Sequence, residues 1–385
     1  MRGLGRVLAG TLVGAAAAAV LPAQQPAPAD SVGKSWTYAA DDGVRFRVEV
    51  VATGVAVPWG IAFLPDGRAL VTDRPTGRLS LLDLATGALT TVEGVPPVYR
   101  EHDGGMLDVA LHPDFRRNGW VYLSYSVESD SGSATAVDRA RIRDARLVDR
   151  ERLFTARPAI PNNGDHFGGR LVLDRGYLYI SVGDRDTREL AQQLSNHYGK
   201  VVRLHDDGRV PRDNPFVGRP GALPEIWSYG HRNPQGLARH PETGELWEHE
   251  HGPRGGDEVN VVRPGRNYGW PAITYGQEYR GGPVGEGITA KDGMEQPLHY
   301  YVPSIAPSGM DFYTGRALPR WRGSLFIGGM AIRHLNRLVV ERGAVVREER
   351  LLADKGWRIR SVREGPDGFL YIGIDGGAIL RLRPE

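Results

Sequence analysis

Val362-Arg-Glu-Gly-Pro-Asp-Gly-Phe-Leu-Tyr-Ile372 reads as one β-hairpin. Asp-Gly puts a residue tolerant of positive φ at the turn, and β-branched and aromatic residues fill the flanks as strands require. The same order recurs as Ile61-Ala-Phe-Leu-Pro-Asp-Gly-Arg-Ala-Leu-Val-Thr72, and as Val109-Ala-Leu-His-Pro-Asp-Phe115 followed by Asn118-Gly-Trp-Val-Tyr-Leu-Ser124. It returns in Leu171-Val-Leu-Asp-Arg-Gly-Tyr-Leu-Tyr-Ile-Ser181 and Leu237-Ala-Arg-His-Pro-Glu-Thr-Gly-Glu-Leu-Trp247, with a degenerate copy from Met310 to Ile327. The first and last turn glycines, Gly67 and Gly368, lie 301 residues apart over five intervals, about 60 per unit. That period exceeds the usual blade repeat but accommodates four strands with long loops on one face. Six copies predict an all-β protein, a six-bladed β-propeller with four-stranded blades. A β-sandwich is the rival, and it seldom needs this length in one domain.

Composition agrees. The chain has 51 Gly and 27 Pro in 385 residues, about a fifth of the total, which suits short elements joined by tight turns and excludes a helical bundle. The helix signal is weak throughout; Glu189–Ser195 is the best short candidate. Lys and Arg number 48 against 46 Asp and Glu, and two of the cations, Arg2 and Arg6, sit in the first 29 residues. The remainder is balanced, so there is no electrostatic case for nucleic acid. The absence of cysteine excludes disulfides, thiolate metal sites, thiol nucleophiles and a lipoprotein anchor.

Arg2 and Arg6 precede the apolar run Leu8–Leu21, and small residues follow at Ala23, Ala27 and Ala29. This is the order of a secretory signal peptide. The run is short for a membrane span, which needs about 20 residues, so an uncleaved anchor is the lesser alternative. Residues 1–29 are expected to be signal peptide and the start of a loose leader, with cleavage within 24–30. The mature protein is expected in the periplasm or outside the cell, without a membrane span, as one propeller domain over residues 36–385.

No phosphate loop, dinucleotide fingerprint, zinc-protease helix or nucleophile elbow is present. Four polar clusters on inter-strand loops remain. In Asn162-Asn-Gly-Asp-His-Phe-Gly-Gly-Arg170, His166 suits a general base, with Asp184 at the far end of the following hairpin to orient its ring; residue type alone favours a histidine that merely caps a loop. In Tyr229-Gly-His-Arg-Asn-Pro-Gln-Gly236, Arg232 and Asn233 offer a guanidinium and an amide to an anionic or carbonyl-rich ligand, or a structural salt bridge. Glu248-His-Glu-His-Gly-Pro-Arg-Gly-Gly-Asp-Glu258 looks like a metal cluster. Strand alternation nevertheless sends Glu248 and Glu250 away from His249 and His251 and argues against zinc. Hard cations on the Gly252 and Pro253 carbonyls and on Asp257 or Glu258 fit better, with solvated loop charge as the bland reading. Finally, Gly356-Trp-Arg-Ile-Arg-Ser361 puts Arg358 and Arg360 on one face, where they require an acidic neighbour or a polyanionic ligand.

Taken in order, these motifs resemble the soluble sugar dehydrogenases that depend on pyrroloquinoline quinone (PQQ). The resemblance runs from Val57-Pro-Trp-Gly-Ile-Ala62 through Gly104-Gly-Met-Leu-Asp-Val-Ala-Leu-His-Pro-Asp-Phe115, His166-Phe-Gly-Gly-Arg-Leu171, Gly230-His-Arg-Asn-Pro-Gln-Gly236 and Asn267-Tyr-Gly-Trp-Pro271 to Trp357-Arg-Ile-Arg360. It implies a six-bladed propeller and oxidation of aldose sugars at C1 to lactones. His166 would take the hydroxyl proton, with Asp184 supporting it, and the hydride would pass to the quinone. Arg232, Asn233, His251, Arg358 and Arg360 would surround the cofactor. The Gly252 and Pro253 carbonyls would bind one calcium, and Glu258 with the Tyr268 carbonyl a second, structural one. Two positions depart from the pattern. Asp103 stands near the cofactor where relatives commonly carry Gln, and Ala331 where many place a cofactor-binding Lys. Arg333, two residues on, is expected to reach the cofactor carboxylates if the segment is extended. The implied partners are a small-molecule sugar and an electron acceptor. The alternatives are a secreted carbohydrate- or protein-binding propeller without cofactor and a calcium-dependent lactonase. The lactonase would need several side-chain ligands at the central channel.

Overall fold

The computed structural model describes residues 31–161 and 164–385. The signal-peptide reading, and Asn162 and Asn163, lie outside the described residues. Among the described residues the chain forms six antiparallel sheets, five of four strands and one of five. Each repeat quoted above is the first hairpin of one sheet. The innermost strands are Pro58–Phe63, Met106–Leu111, Leu171–Asp174, Pro234–Arg239, Pro307–Phe312 and Ile359–Glu364. Each packs against the next, and the last packs against the first, which closes the ring. The fold is a six-bladed β-propeller. The helical content of the described residues is one turn, Phe115–Asn118, and short 3₁₀ segments, of which Arg188–Gln192 overlaps the expected helix. No described helix is long and apolar enough to cross a membrane.

The six apolar clusters between neighbouring sheets explain why the strands read as nearly continuous hydrophobic runs. Along Trp120–Ser129, Val121 and Leu123 pack into the core shared with the preceding blade, whereas Trp120 and Tyr122 pack into the core shared with the following one. A blade is buried on both faces, so alternation sorts residues between two cores rather than between core and water.

The fifth strand departs from the expectation of four per blade. The last blade contributes Ile359–Glu364, Leu370–Ile374 and Ala378–Pro384 and takes its fourth strand, Arg45–Thr53, from the other end of the chain. Pairing runs from Phe46 opposite Pro384 to Thr53 opposite Ala378. Ser35–Ala39 then adds an outer fifth strand. Ring closure is therefore held by main-chain hydrogen bonds between the terminal segments as well as by side-chain packing.

One side chain fills the axis. Arg170 precedes the third blade, and its guanidinium donates to the carbonyls of Gln235 (2.7 Å), Trp59 (2.8 Å) and Arg360 (3.2 Å) and to the Ser308 hydroxyl (3.5 Å). It stacks 3.6 Å from the Trp59 ring centroid and lies 3.7 Å from the Asp108 carboxylate. Each of the other five blades thus contributes a group to this one cation. Burial pulls the guanidinium down to about 9 against the opposing pull of Asp108, so it stays charged at neutral pH.

Candidate active site

A pocket of about 260 Å³ lies over Arg170 on one face of the ring. Its walls come from the approach to and the start of the first strand of each blade, with Arg74, His251 and Met330 added from just beyond the second strands of the first, fourth and fifth blades. Of the expected residues, Asp103, Asn233, His251, Arg358 and Arg360 line it, together with Trp59, Arg74, Phe167 and Met330.

His166 and Asp184 meet at its edge. The His166 Nδ1–Asp184 Oδ1 distance is 2.6 Å, and both side chains are largely buried. Asp184 Oδ1 also accepts the Asp186 N–H (2.9 Å), and Oδ2 accepts the indole N–H of Trp270 (2.7 Å). Burial pushes the Asp184 carboxyl up, but the bond and charge of His166, the charge of Arg232 and the Trp270 donor outweigh it and hold Asp184 below its ordinary value. A carboxylate only accepts, so His166 Nδ1 is the donor of this bond, and Nε2 is the ring nitrogen left to act as an acceptor in the neutral tautomer.

The local chain explains the placement. His166 adopts φ 52°, a left-handed conformation uncommon outside glycine. A Cβ at Gly183 would strike the His166 carbonyl and the Asn233 side chain, so glycine there lets the two loops touch. The Asp184 N–H donates to the Arg232 carbonyl (2.7 Å) and ties the third blade to the fourth. Asn233 accepts from the Gly168 N–H (3.2 Å) and from Gln235 (3.0 Å), so it also fixes the glycine-rich approach to His166.

Arg358 and Arg360 obtain the acidic neighbour that their spacing required. Arg358 donates to Asp375 at 3.1 Å, and Arg360 makes two bonds to it at 3.0 and 2.8 Å. Arg74 joins them from the first blade and donates to Asp103 at 3.0 Å. Three guanidiniums face two carboxylates, which leaves the site one positive charge in excess. His251 donates from Nε2 to the Pro307 carbonyl (2.8 Å), and burial pulls it down to about 3, so it is neutral.

Arg232 stands behind the pocket. Its backbone N–H donates to Glu250, and its guanidinium donates to the carbonyls of Gly252 (2.8 Å) and His251 (3.3 Å) and to the Tyr279 hydroxyl (3.3 Å). Arg333 does not line the pocket. The strand ends at Gly329, and the chain turns through Met330–His334, so the alternation that would align Arg333 with Ala331 does not operate.

Alternation does part Glu248 and Glu250 from their histidine neighbours. The two carboxylates meet His231 in a buried group whose ligand atoms lie within 4.8 Å of one another. Asn260 donates to Glu248 (2.8 Å) and Glu258 (3.3 Å), and Tyr268 stacks on His231 with ring centroids 4.6 Å apart. Among the described residues, Glu248 Oε2, Asn260 Oδ1 and His231 Nδ1 have no hydrogen-bond partner. Burial, then the charge of Glu250, push both Glu248 and Glu258 up. Burial opposes the charge on His231, but the Glu248 and Glu250 carboxylates, 3.6 and 3.4 Å from its Nδ1, raise it to about 9.

Sequence reasoning missed Arg74, Asp375 and Trp270. A positional signal existed for the first two. The second strands of four blades end at Asp73, Val182, Glu250 and Ile374. The next one or two residues are Arg74, Gly183-Asp184, His251 and Asp375, all at the site.

The family model for glucose/sorbosone dehydrogenases matches residues 55–381. Aldose sugar dehydrogenase YliI of Escherichia coli strain K12 is 43% identical over 348 residues, covering 88% of this chain and 93% of that protein. A crystal structure of a glucose dehydrogenase superposes with a TM-score of 0.85 at 49% identity, covering 87% of this chain and 98% of the other. The PQQ-bound form of an aldose sugar dehydrogenase from Streptomyces coelicolor superposes with a TM-score of 0.72 at 28% identity, covering 92% and 99% respectively.

Proposed function

Because the chain belongs to the glucose/sorbosone dehydrogenase family, we propose that it oxidises aldose sugars at C1 to lactones with PQQ as its bound acceptor. The observation that carries this reading is the His166–Asp184 pair, which turns Nε2 away from the carboxylate, at the edge of a pocket that holds excess positive charge. That donor set fits a planar tricarboxylate: Arg358, Arg360 and Arg74 offer N–H groups, and Asn233 and His251 complete the wall.

His166 Nε2 takes the proton of the C1 hydroxyl. Asp184 holds the ring orientation and stabilises the imidazolium that results. The quinone, when bound, supplies the acceptor for the C1 hydride, so the sugar loses one proton and one hydride. Trp59 and Phe167 supply apolar wall, and Arg170 closes the floor and limits water entry from the axis. Trp270 and the Asp186 N–H keep Asp184 ionised and fixed.

Calcium is proposed at the buried carboxylate group through Glu258 and the Tyr268 carbonyl, with Glu248 and Glu250 beside it. Unpartnered oxygens among several buried carboxylates are the donor chemistry of a hard cation. A calcium at Gly252 and Pro253 would share the Gly252 carbonyl with Arg232. Export to the periplasm or beyond follows from the N-terminal segment, and the electron acceptor is an external partner.

Reconstitution of the full chain with PQQ and calcium, followed by aldose and a dye acceptor, tests the reading. Dye reduction should require both sugar and quinone, and His166→Ala should lower turnover by about two to four orders of magnitude. Quinone binding without sugar-dependent reduction, or hydrolysis of a lactone instead, would overturn it. Among the described residues the buried carboxylate group does not line the pocket, so it does not supply the side-chain ligands at the central channel that the lactonase alternative would need.

A further inference from the structure

Arg74 is the one pocket cation whose hydrogen-bonding capacity is conspicuously unused. Its backbone is pinned on both sides, the N–H donating to the Val57 carbonyl (3.1 Å) and the carbonyl accepting from Met106 (3.2 Å). The side chain therefore leaves a fixed point at the end of the second strand of the first blade. One terminal nitrogen bonds Asp103, which is itself half-exposed at the rim. The Nε is buried and has no partner among the described residues. A buried unsatisfied donor on a charged group is costly and calls for an acceptor. Burial and then the like charge of Arg360 pull the guanidinium below its ordinary value, with Asp103 and Asp375 only partly opposing them.

We propose that Arg74 is a ligand-binding residue that receives a carboxylate of the anionic cofactor and supplies the cation for which Arg333 was the sequence-based candidate. The assignment rests on the PQQ reading above. Arg358 and Arg360 share Asp375 on the opposite side of the junction between the sixth and first blades. Arg74 completes a guanidinium wall across that junction. The Asp103 pair holds its fork in place before the ligand arrives, which reduces the ordering cost of binding.

The test titrates PQQ into the full, calcium-supplied chain and reads binding by quenching of tryptophan fluorescence, with Trp59 in the pocket as one reporter. Arg74→Ala should weaken binding by about tenfold or more, as expected for a lost charged hydrogen bond. Arg333→Ala should bind as wild type does. Should Arg74→Ala fail to fold, Arg74→Lys decides; it keeps the charge but loses the fork and should bind measurably more weakly than wild type. Wild-type affinity in a folded Arg74 variant, or a loss confined to Arg333→Ala, overturns the assignment while leaving the cofactor reading intact. Failure of wild type itself to bind the quinone overturns the cofactor reading and this assignment with it.

Discussion

Replacing Asp184 by asparagine changes one atom and a charge, and the contacts around it decide the outcome. Oδ1 accepts from both His166 and Asp186, and Oδ2 accepts from Trp270. An asparagine that keeps its oxygen toward His166 turns its amide N–H₂ against the Trp270 N–H. That strands a buried donor, at about 1–3 kcal/mol, and removes the charge that stabilises imidazolium. The flipped amide faces the Asp186 N–H instead and donates to His166 Nδ1, which drives the ring proton to Nε2 and abolishes the base. Both orientations penalise the chemical step, so turnover should fall by about two to four orders of magnitude. Quinone affinity should change little, because Asp184 does not line the pocket. Steady-state dye reduction across pH, beside a quinone titration of the same preparation, measures the two effects separately. Near-normal turnover in Asp184→Asn with the fold intact would refute the base assignment.

Trp270→Phe keeps an aromatic ring but removes the donor to Asp184. It should lower kcat by roughly tenfold with KM nearly unchanged, consistent with one lost charged hydrogen bond; a KM effect alone would make Trp270 a wall residue. Metal-free protein should lose stability as pH rises from about 5 to about 8. Glu248 is raised to about 7 by burial and the charge of Glu250, so its contribution is full below its unfolded value and lost as pH rises through the folded one. His231, raised to about 9, has the same sign. Calcium, by favouring the ionised carboxylates, should flatten this slope, and thermal midpoints with chelator or calcium would report it. Arg170→Met strands three carbonyls and Asp108 on the axis and should cost about 3–5 kcal/mol in urea unfolding; an unchanged midpoint would contradict the axial role. Deleting residues 31–40 should leave a folded ring with four strands in every blade, whereas deleting through Thr53 should abolish cooperative unfolding, as calorimetry would show.

The hairpins were legible because their information is local: Asp-Gly turns and apolar flanks specify each inner pair without reference to the rest of the chain. His166, Asn233, His251, Arg358 and Arg360 were legible because their motifs flank those hairpins, and the structure brings them to one pocket or its edge. Closure was not, because the strand Arg45–Thr53 carries no turn of the repeat type and its partner lies at the other end of the chain. Trp270 was equally hidden, since its bond to Asp184 spans 86 residues and joins an insertion of the fourth blade to the third. Arg333 shows the opposite error. Alternation does not carry past Gly329, where the chain turns, and Arg74, which does line the pocket, lies on the first blade 259 residues away.

The pairing of terminal strands gives the ring a seam rather than a beginning. Arg45 and Glu385 are ion-paired, and the Glu385 N–H reaches the Arg45 carbonyl at 3.5 Å, so a short linker could join the C-terminus to the start of Arg45–Thr53. New ends could then be cut in the exposed turn at Arg342-Gly343 on the fifth blade, remote from the pocket. Such a circular permutant would keep every blade and every site residue while moving the seam from the sixth blade to the fifth. Its stability relative to the parent would measure how much the native seam contributes that six packed blades do not already supply.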